Sequence, residues 1–242
     1  MEVTQLIALT PGDLIIREKK PGWIAMKILA LDSWPDGEAT AHCLTYESVF
    51  NKPDLASLKA AKVKVWHAPI DAKNFNSGWE RVGNTQATEE ELSGFVEYLK
   101  HTDFPRYANF TGQETSEIIH QASEHYKHAY ALGDQGKRIE AIEEYSKAIE
   151  LFPLFFEAVD NRAFTYMELA LYEYALRDFE VSLYLNPDGM SAFFSKGECL
   201  LRLGKLTAAE EIFSEGISRF PEHAASFQQF LQQAQEMQKV TE

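Results

Sequence analysis

Three prolines set the organisation of the second half of this chain: Pro153, Pro187 and Pro221 stand 34 residues apart. Counting back from each by equal steps, the same kinds of side chain return. Ala141, Ala175 and Ala209 form a small column, Tyr145, Phe179 and Phe213 an aromatic one, and Ala148, Ser182 and Gly216 a second small one; Ala129, Ala163 and Gly197 add a third upstream. A small residue on one helix lets a second helix approach closely, and an aromatic ring one turn later fills the space beside the contact. Each unit is therefore expected to be a helical hairpin. Proline ends a unit because it brings no amide hydrogen to a continuing helix, and Gly136 and Gly204 fall where the two helices of a unit must turn. A lone hairpin leaves its apolar flank bare, so consecutive units stack. Beyond the third unit, Phe227, Phe230, Leu231 and Ala234 recur at helical spacing among Gln and Glu, which predicts an amphipathic capping helix over 224–240.

This register resembles the tetratricopeptide repeat, with repeats at about 122–155, 156–189 and 190–223 inside a helical domain spanning 116–242. The resemblance implies a concave surface lined by the first helix of each unit, whose second, fifth, sixth and ninth positions face a bound segment. Those positions hold Ser123, Tyr126, Lys127 and Tyr130, then Glu157, Asp160, Asn161 and Phe164, then Ser191, Phe194, Ser195 and Glu198. Helical spacing by itself puts each set on one face. Aromatic rings interleaved with carboxylates make an anchor surface for a protein partner. The best-known variant of the family grips a chaperone's C-terminal carboxylate with five Lys, Asn and Arg side chains. Here the equivalent places hold Tyr126, Tyr130, Asn161, Ser191 and Ser195, and only Asn161 agrees. A carboxylate needs charged donors, so a chaperone-tail adaptor is not expected.

Residues 1–87 read as a small antiparallel β domain, similar to SH3-like barrels, which makes the whole chain an α+β multidomain protein. Short apolar runs at 13–18 and 23–31 flank the turn Lys20-Pro21-Gly22, alternation continues at 40–46 and 63–67, and 79–82 completes the set. The stretch 49–61 interrupts this pattern as a short helix or a long loop. Thr88, followed three residues later by Glu91, has the form of a capping box. A helix with Leu92, Phe95, Val96 and Leu99 on one stripe is expected after it. Residues 88–115 hold that helix and an interdomain linker at 102–112, with Phe104, Tyr107 and Phe110 too apolar for a free tether.

Charge narrows the partner. The chain carries a formal net charge of −14; residues 1–100 hold 11 basic and 14 acidic side chains, residues 101–242 hold 12 and 23. An acidic field repels phosphate backbones and draws basic surfaces. The expected partner is a protein segment bearing apolar and basic side chains, not nucleic acid and not a membrane. A narrower alternative is an immunity-type or chaperone role toward a basic, nuclease-like toxin. A third reading gives the β domain a small-molecule or catalytic role around His42, His67 and Trp66.

Residues 1–9 lack the basic start and long apolar core of an export signal, so a cytoplasmic location is expected. Cys43 and Cys199 fall in different domains and read as two buried thiols, and the sequon at Asn109 as accidental. His120, Glu124 and His128 lie along one helical face as metal ligands would. His125 and His128, however, occupy columns filled by Val159 and Phe193, and by Arg162 and Lys196, so no metal and no cofactor is expected. Nor is any catalytic constellation visible: the pairs Glu143-Glu144 and Glu210-Glu211 read as solvated charge on outward faces, and a non-enzymatic protein is expected.

Overall fold

The structure, a computed structural model, describes residues 8–241, the side chains of 240 and 241 excepted. Residues 1–7, part of the stretch read above for an export signal, lie outside the described residues. The chain divides into two compact units, Met1–Thr111 and Gly112–Glu242.

In the first unit five antiparallel strands form one sheet: β1 (Asp13–Lys19), β2 (Gly22–Ser33), β3 (Ala39–Tyr46), β4 (Val63–Asp71) and β5 (Glu80–Asn84), in the order β4-β3-β2-β1-β5. Both faces are covered. Leu14, Ile16, Ala25, Leu44 and Tyr46 pack with Phe95 and Leu99 of α2 (Glu89–Thr102), while Ile15, Ile28 and Cys43 pack with Phe75 of the 3-10 turn Ala72–Phe75. Burial on both sides explains why β1 reads as a continuous apolar run rather than an alternating one. Within 49–61 the chain makes one short helix, α1 (Leu55–Lys59), capped by Asp54.

The capping box at Thr88 is present: Thr88 Oγ1 accepts from the Glu91 amide at 3.2 Å, and Glu91 Oε2 accepts from the Thr88 amide at 2.8 Å. The same Oε2 takes Lys27 Nζ at 2.7 Å, with Lys27 only 3% exposed. Burial works against the Glu91 charge, yet the Lys27 and cap hydrogen bonds outweigh it and hold the pKa below its ordinary value.

Within the expected linker at 102–112 the structure has a helix, α3 (Phe104–Phe110), and the boundary between the two units falls just after it, between Thr111 and Gly112. Asp103 caps the helix by accepting from the Arg106 amide at 3.2 Å. Pro105, which suggested a break, sits in the first turn, where its missing N–H costs nothing. Phe104 and Ala108 are buried, and Phe110 meets Phe95 edge-on at 6.4 Å, so the aromatic side chains belong to the packing of this unit.

The second unit is all helix: α4 (Thr115–Asp134), α5 (Arg138–Leu151), α6 (Phe156–Glu168), α7 (Tyr172–Leu185), α8 (Met190–Arg202), α9 (Leu206–Arg219) and α10 (Ala224–Thr241). Successive helices pair into three hairpins, each hairpin packs on the next, and α10 lies on α9. The small columns are small for a visible reason. A Cβ on Gly197 would sit 2.5 Å from Phe213 Cε1, and one on Gly216 would sit 2.2 Å from two atoms of Phe227. Gly136 and Gly204 close their hairpins with φ of +76° and +71°, and the middle hairpin makes the same turn with Ala170 at φ +56°.

Candidate functional site

The first helices of the three hairpins, α4, α6 and α8, carry the twelve residues singled out from the register. Two groups of them come together. Tyr126 rests on Tyr145 at 5.8 Å and on Phe155 at 5.0 Å, and its hydroxyl accepts a 2.8 Å hydrogen bond from Asn161 Nδ2, tying α4 to α6. Burial raises the Tyr126 pKa, opposed by the Asn161 hydrogen bond and reinforced by the negative charge of Glu157 and Asp160. Tyr130 projects into solvent, 56% exposed. Asn161, the one position that matches the carboxylate-gripping variant, is thus already engaged within the fold.

The second group surrounds a cavity of about 310 Å³, where Phe164 of α6 meets Ser191, Phe194 and Ser195 of α8. Phe164 stands edge-on to Phe179 at 5.1 Å and Phe194 edge-on to Phe230 at 4.9 Å, so both rings are half-buried walls rather than free anchors. Met190, His223 and Ser226 complete the lining. These three were not singled out, though the register held the signal: α10 begins at Ala224, one period after Met190 and two after Phe156. It occupies the place of a fourth first helix.

Carboxylates mark this face. Burial raises the pKa of Asp160, opposed by the nearby Ser182 hydroxyl and reinforced by Glu157. The Ser182 approach falls short of a regular hydrogen bond, since Asp160 Oδ1 and Ser182 Oγ are both buried without a partner. Burial likewise raises Glu198, with Arg202 opposing. The remaining positions are locally satisfied or open. Ser123 Oγ donates to the Ile119 carbonyl at 2.8 Å, Lys127 pairs with Glu124 at 2.8 Å, and Glu157 and Ser191 are exposed.

Inside the hairpins a column of ion pairs accompanies the packing. Arg162 grips Asp178 with two hydrogen bonds of 2.7 and 2.8 Å and donates a third to Ser146 at 2.9 Å. One period earlier the same role falls to His125 and His128 against Glu144, at 2.6 and 3.4 Å, with Lys147 at 2.5 Å. Glu144, read above as solvated, is 12% exposed and drawn into this cluster. Its pKa falls to about 2, first through Lys147 and then through His125. Among the described residues, no group of three or more His, Cys, Asp or Glu gathers as metal ligands would.

In the first unit His42 and His67 do meet, with Nδ1 of the former 2.9 Å from Nε2 of the latter; Trp66, next to His67 on β4, is 39% exposed and sits with its Cβ against Gly94 of α2. His42 Nε2 lies 2.9 Å from Asp32, whose carboxylate takes Arg106 at 2.8 and 2.9 Å. An ionised Asp32 can only accept, so His42 donates to it through Nε2, and its Nδ1 shares the proton of the hydrogen bond with His67. Phe95 and Tyr98 pack tilted against both imidazoles at 4.5–5.6 Å between ring centres. The network is a packed polar core joining β2, β3 and β4 to α2 and α3.

Profiles of one family, described as Tetratricopeptide repeat, match residues 125–153 and 169–224. These are tetratricopeptide repeats. Suppressor of RPS4-RLD 1 of Arabidopsis thaliana is 33% identical over 72 residues, which make up 30% of this chain and 7% of that relative's length. Among solved structures, the repeat unit is similar to the first TPR of Spaghetti (RPAP3) bound to HSP90 peptide SRMEEVD, at 22% identity and TM-score 0.46, covering 50% of this chain and 94% of that one. It is also similar to the second TPR domain of human RPAP3 in complex with HSP70 peptide SGPTIEEVD, at 25% identity and TM-score 0.45, covering 49% and 98%. Among the described residues no helix is long and apolar enough to cross a membrane.

Proposed function

We propose that this chain is a non-enzymatic interaction scaffold whose tetratricopeptide repeats hold a segment of a partner protein carrying apolar and Lys or Arg side chains. The observation that carries the reading is the apolar cavity walled by Phe164 of α6 and Phe194 of α8, on the same first helices that expose the Tyr130 ring and the Glu157 carboxylate. The cavity between Phe164 and Phe194 accommodates an apolar side chain of the same segment. Net negative charge over residues 101–242 favours a basic partner and steers it at a distance. A basic enzyme held or neutralised by this face is the narrower form of the same reading.

The test is fluorescence polarisation against peptides that alternate Leu or Phe with Lys or Arg, beside acidic counterparts. The basic set should bind, and binding should weaken as salt rises. Tyr130 and Glu157 are both exposed, so Tyr130→Ala with Glu157→Lys leaves the melting temperature near wild type while removing binding. Phe164→Ala is the poorer probe because that ring also packs on Phe179. Equal binding by the double variant would place the partner elsewhere.

A further inference from the structure

The first unit holds a cavity of about 400 Å³ at the β1–β2 turn, in the size range of small-ligand pockets. Its apolar side is formed by Ile24 and Met26 of β2, half-exposed on the sheet face, and by Val49 and Phe50. Phe50 is 82% exposed although the backbone beside it is fixed: Trp23 N–H donates to the Val49 carbonyl at 2.7 Å, and Val49 N–H returns a bond to Trp23 at 3.3 Å. Gly22 permits that approach, since a Cβ there would lie 2.4 Å from the Val49 oxygen. A large apolar ring held in water on a rigid rim is what a binding surface presents.

The charge around this cavity runs against the rest of the chain. In a protein with 37 acidic and 23 basic side chains, no carboxylate lines it, whereas Lys19, Lys20 and Lys64 do. All three lysines are exposed, and none joins an ion pair among the described residues. The hydroxyls of Thr45 and Ser48 add polar groups at the same mouth. Converging uncompensated cations over an apolar floor recognise one chemistry: an anionic head on an apolar body.

We infer that this cavity binds a small amphipathic carboxylate, its apolar part against Ile24, Met26 and Phe50 and its acid group among Lys19, Lys20 and Lys64. The site is built from residues of the first unit alone and takes a ligand opposite in charge to the one proposed for the repeats.

The experiment titrates the full chain with the anionic dye 1-anilinonaphthalene-8-sulfonate and, in parallel, with the neutral dye N-phenyl-1-naphthylamine. Lys20→Glu with Lys64→Glu should weaken the anionic dye by about ten-fold or more and leave the neutral dye within about two-fold. Phe50→Ser, at a position too exposed to matter for folding, should weaken both dyes. Dodecanoate should displace the anionic dye at lower concentration than dodecanol does. Three results would overturn the inference: unchanged anion affinity in the lysine variant, equal loss of both dyes in that variant, or displacement by an acidic Phe-containing peptide but not by dodecanoate.

Discussion

Gly216 decides how the last hairpin meets the capping helix, and replacing it with Ala sets two effects against each other. An alanine inside a helix is worth about 1 kcal/mol over glycine. The added Cβ, however, would lie 2.2 Å from Phe227 Cδ1 and Cε1 and 2.7 Å from Cζ. Carbon atoms in contact sit at about 3.5–4.0 Å, so α9 and the ring must separate by more than about 1 Å. The ring has nowhere to go: Phe227 is fully buried, with Phe194 at 5.2 Å, Phe220 at 5.9 Å and Phe193 at 6.3 Å. Overpacking of this kind costs about 1–3 kcal/mol, which exceeds the propensity gain. Gly216→Ala should therefore destabilise by up to about 2 kcal/mol. Gly133→Ala, where nothing lies within 4 Å of the new methyl, should stabilise by up to about 1 kcal/mol. Urea unfolding with hydrogen exchange resolved to α9 and α10 reads both. Phe227→Leu removes the opposing ring atoms, so the double variant Gly216→Ala with Phe227→Leu should lose less than the sum of the single losses, by about 1 kcal/mol. Strict additivity, or a Gly216→Ala protein at least as stable as wild type, would refute the reasoning.

Arg162→Ala leaves Asp178, 7% exposed, without its partner and should destabilise by about 3–5 kcal/mol in urea melts; Arg162→Lys should fail to restore it, because an ammonium cannot reproduce the two-pronged contact. Glu144, depressed to about 2 in the folded chain, contributes stability that is whole above its ordinary value of 4.5 and is lost as pH falls toward 2; Glu144→Gln should flatten that part of the stability profile. His67 is lowered to about 4 by burial and then by His42, so the unfolded chain takes up a proton that the folded one refuses; stability should fall as pH drops from 6.5 to 4, and His67→Asn should remove that slope.

The helical half was legible because its register repeats a packing solution rather than a composition. Each Pro column, small column and aromatic column corresponds to one contact made three times, and the contact at Gly197 and Phe213 shows why the letters are what they are. The middle turn was not legible. Gly136 and Gly204 announce positive φ, whereas Ala170 adopts φ +56° with no residue type to signal it, at a helix end that closes through the Leu171 amide on the Tyr166 carbonyl at 2.9 Å. The helix within 102–112 was not legible for the opposite reason, since Pro105 looks like a break but is a favoured first-turn residue once Asp103 supplies the cap. The Glu144 cluster was hidden because its two histidine partners lie 16 and 19 residues away on the facing helix, and outward or inward position cannot be told from a two-residue acidic pair.

The groove residues were legible as positions and not as states. The register puts Tyr126, Asn161 and Phe164 on one face, but it is silent on whether each side chain is free. Tyr126 and Asn161 satisfy one another at 2.8 Å, Phe164 and Phe194 brace the second helices, and only Tyr130 stands well clear of the surface among the four aromatics. In the proposed groove, what stays open is thus narrower than the twelve positions imply: the exposed Tyr130 ring, the exposed Glu157 carboxylate, and the apolar cavity one hairpin on. Those two patches belong to successive units of a stack, so a segment that engages both must run along the stacking direction, placing a basic side chain near α4 and α6 and an apolar one near α6 and α8. Reversing the order of basic and apolar residues in a test peptide should then weaken binding at constant composition, which net charge attraction alone would leave unchanged.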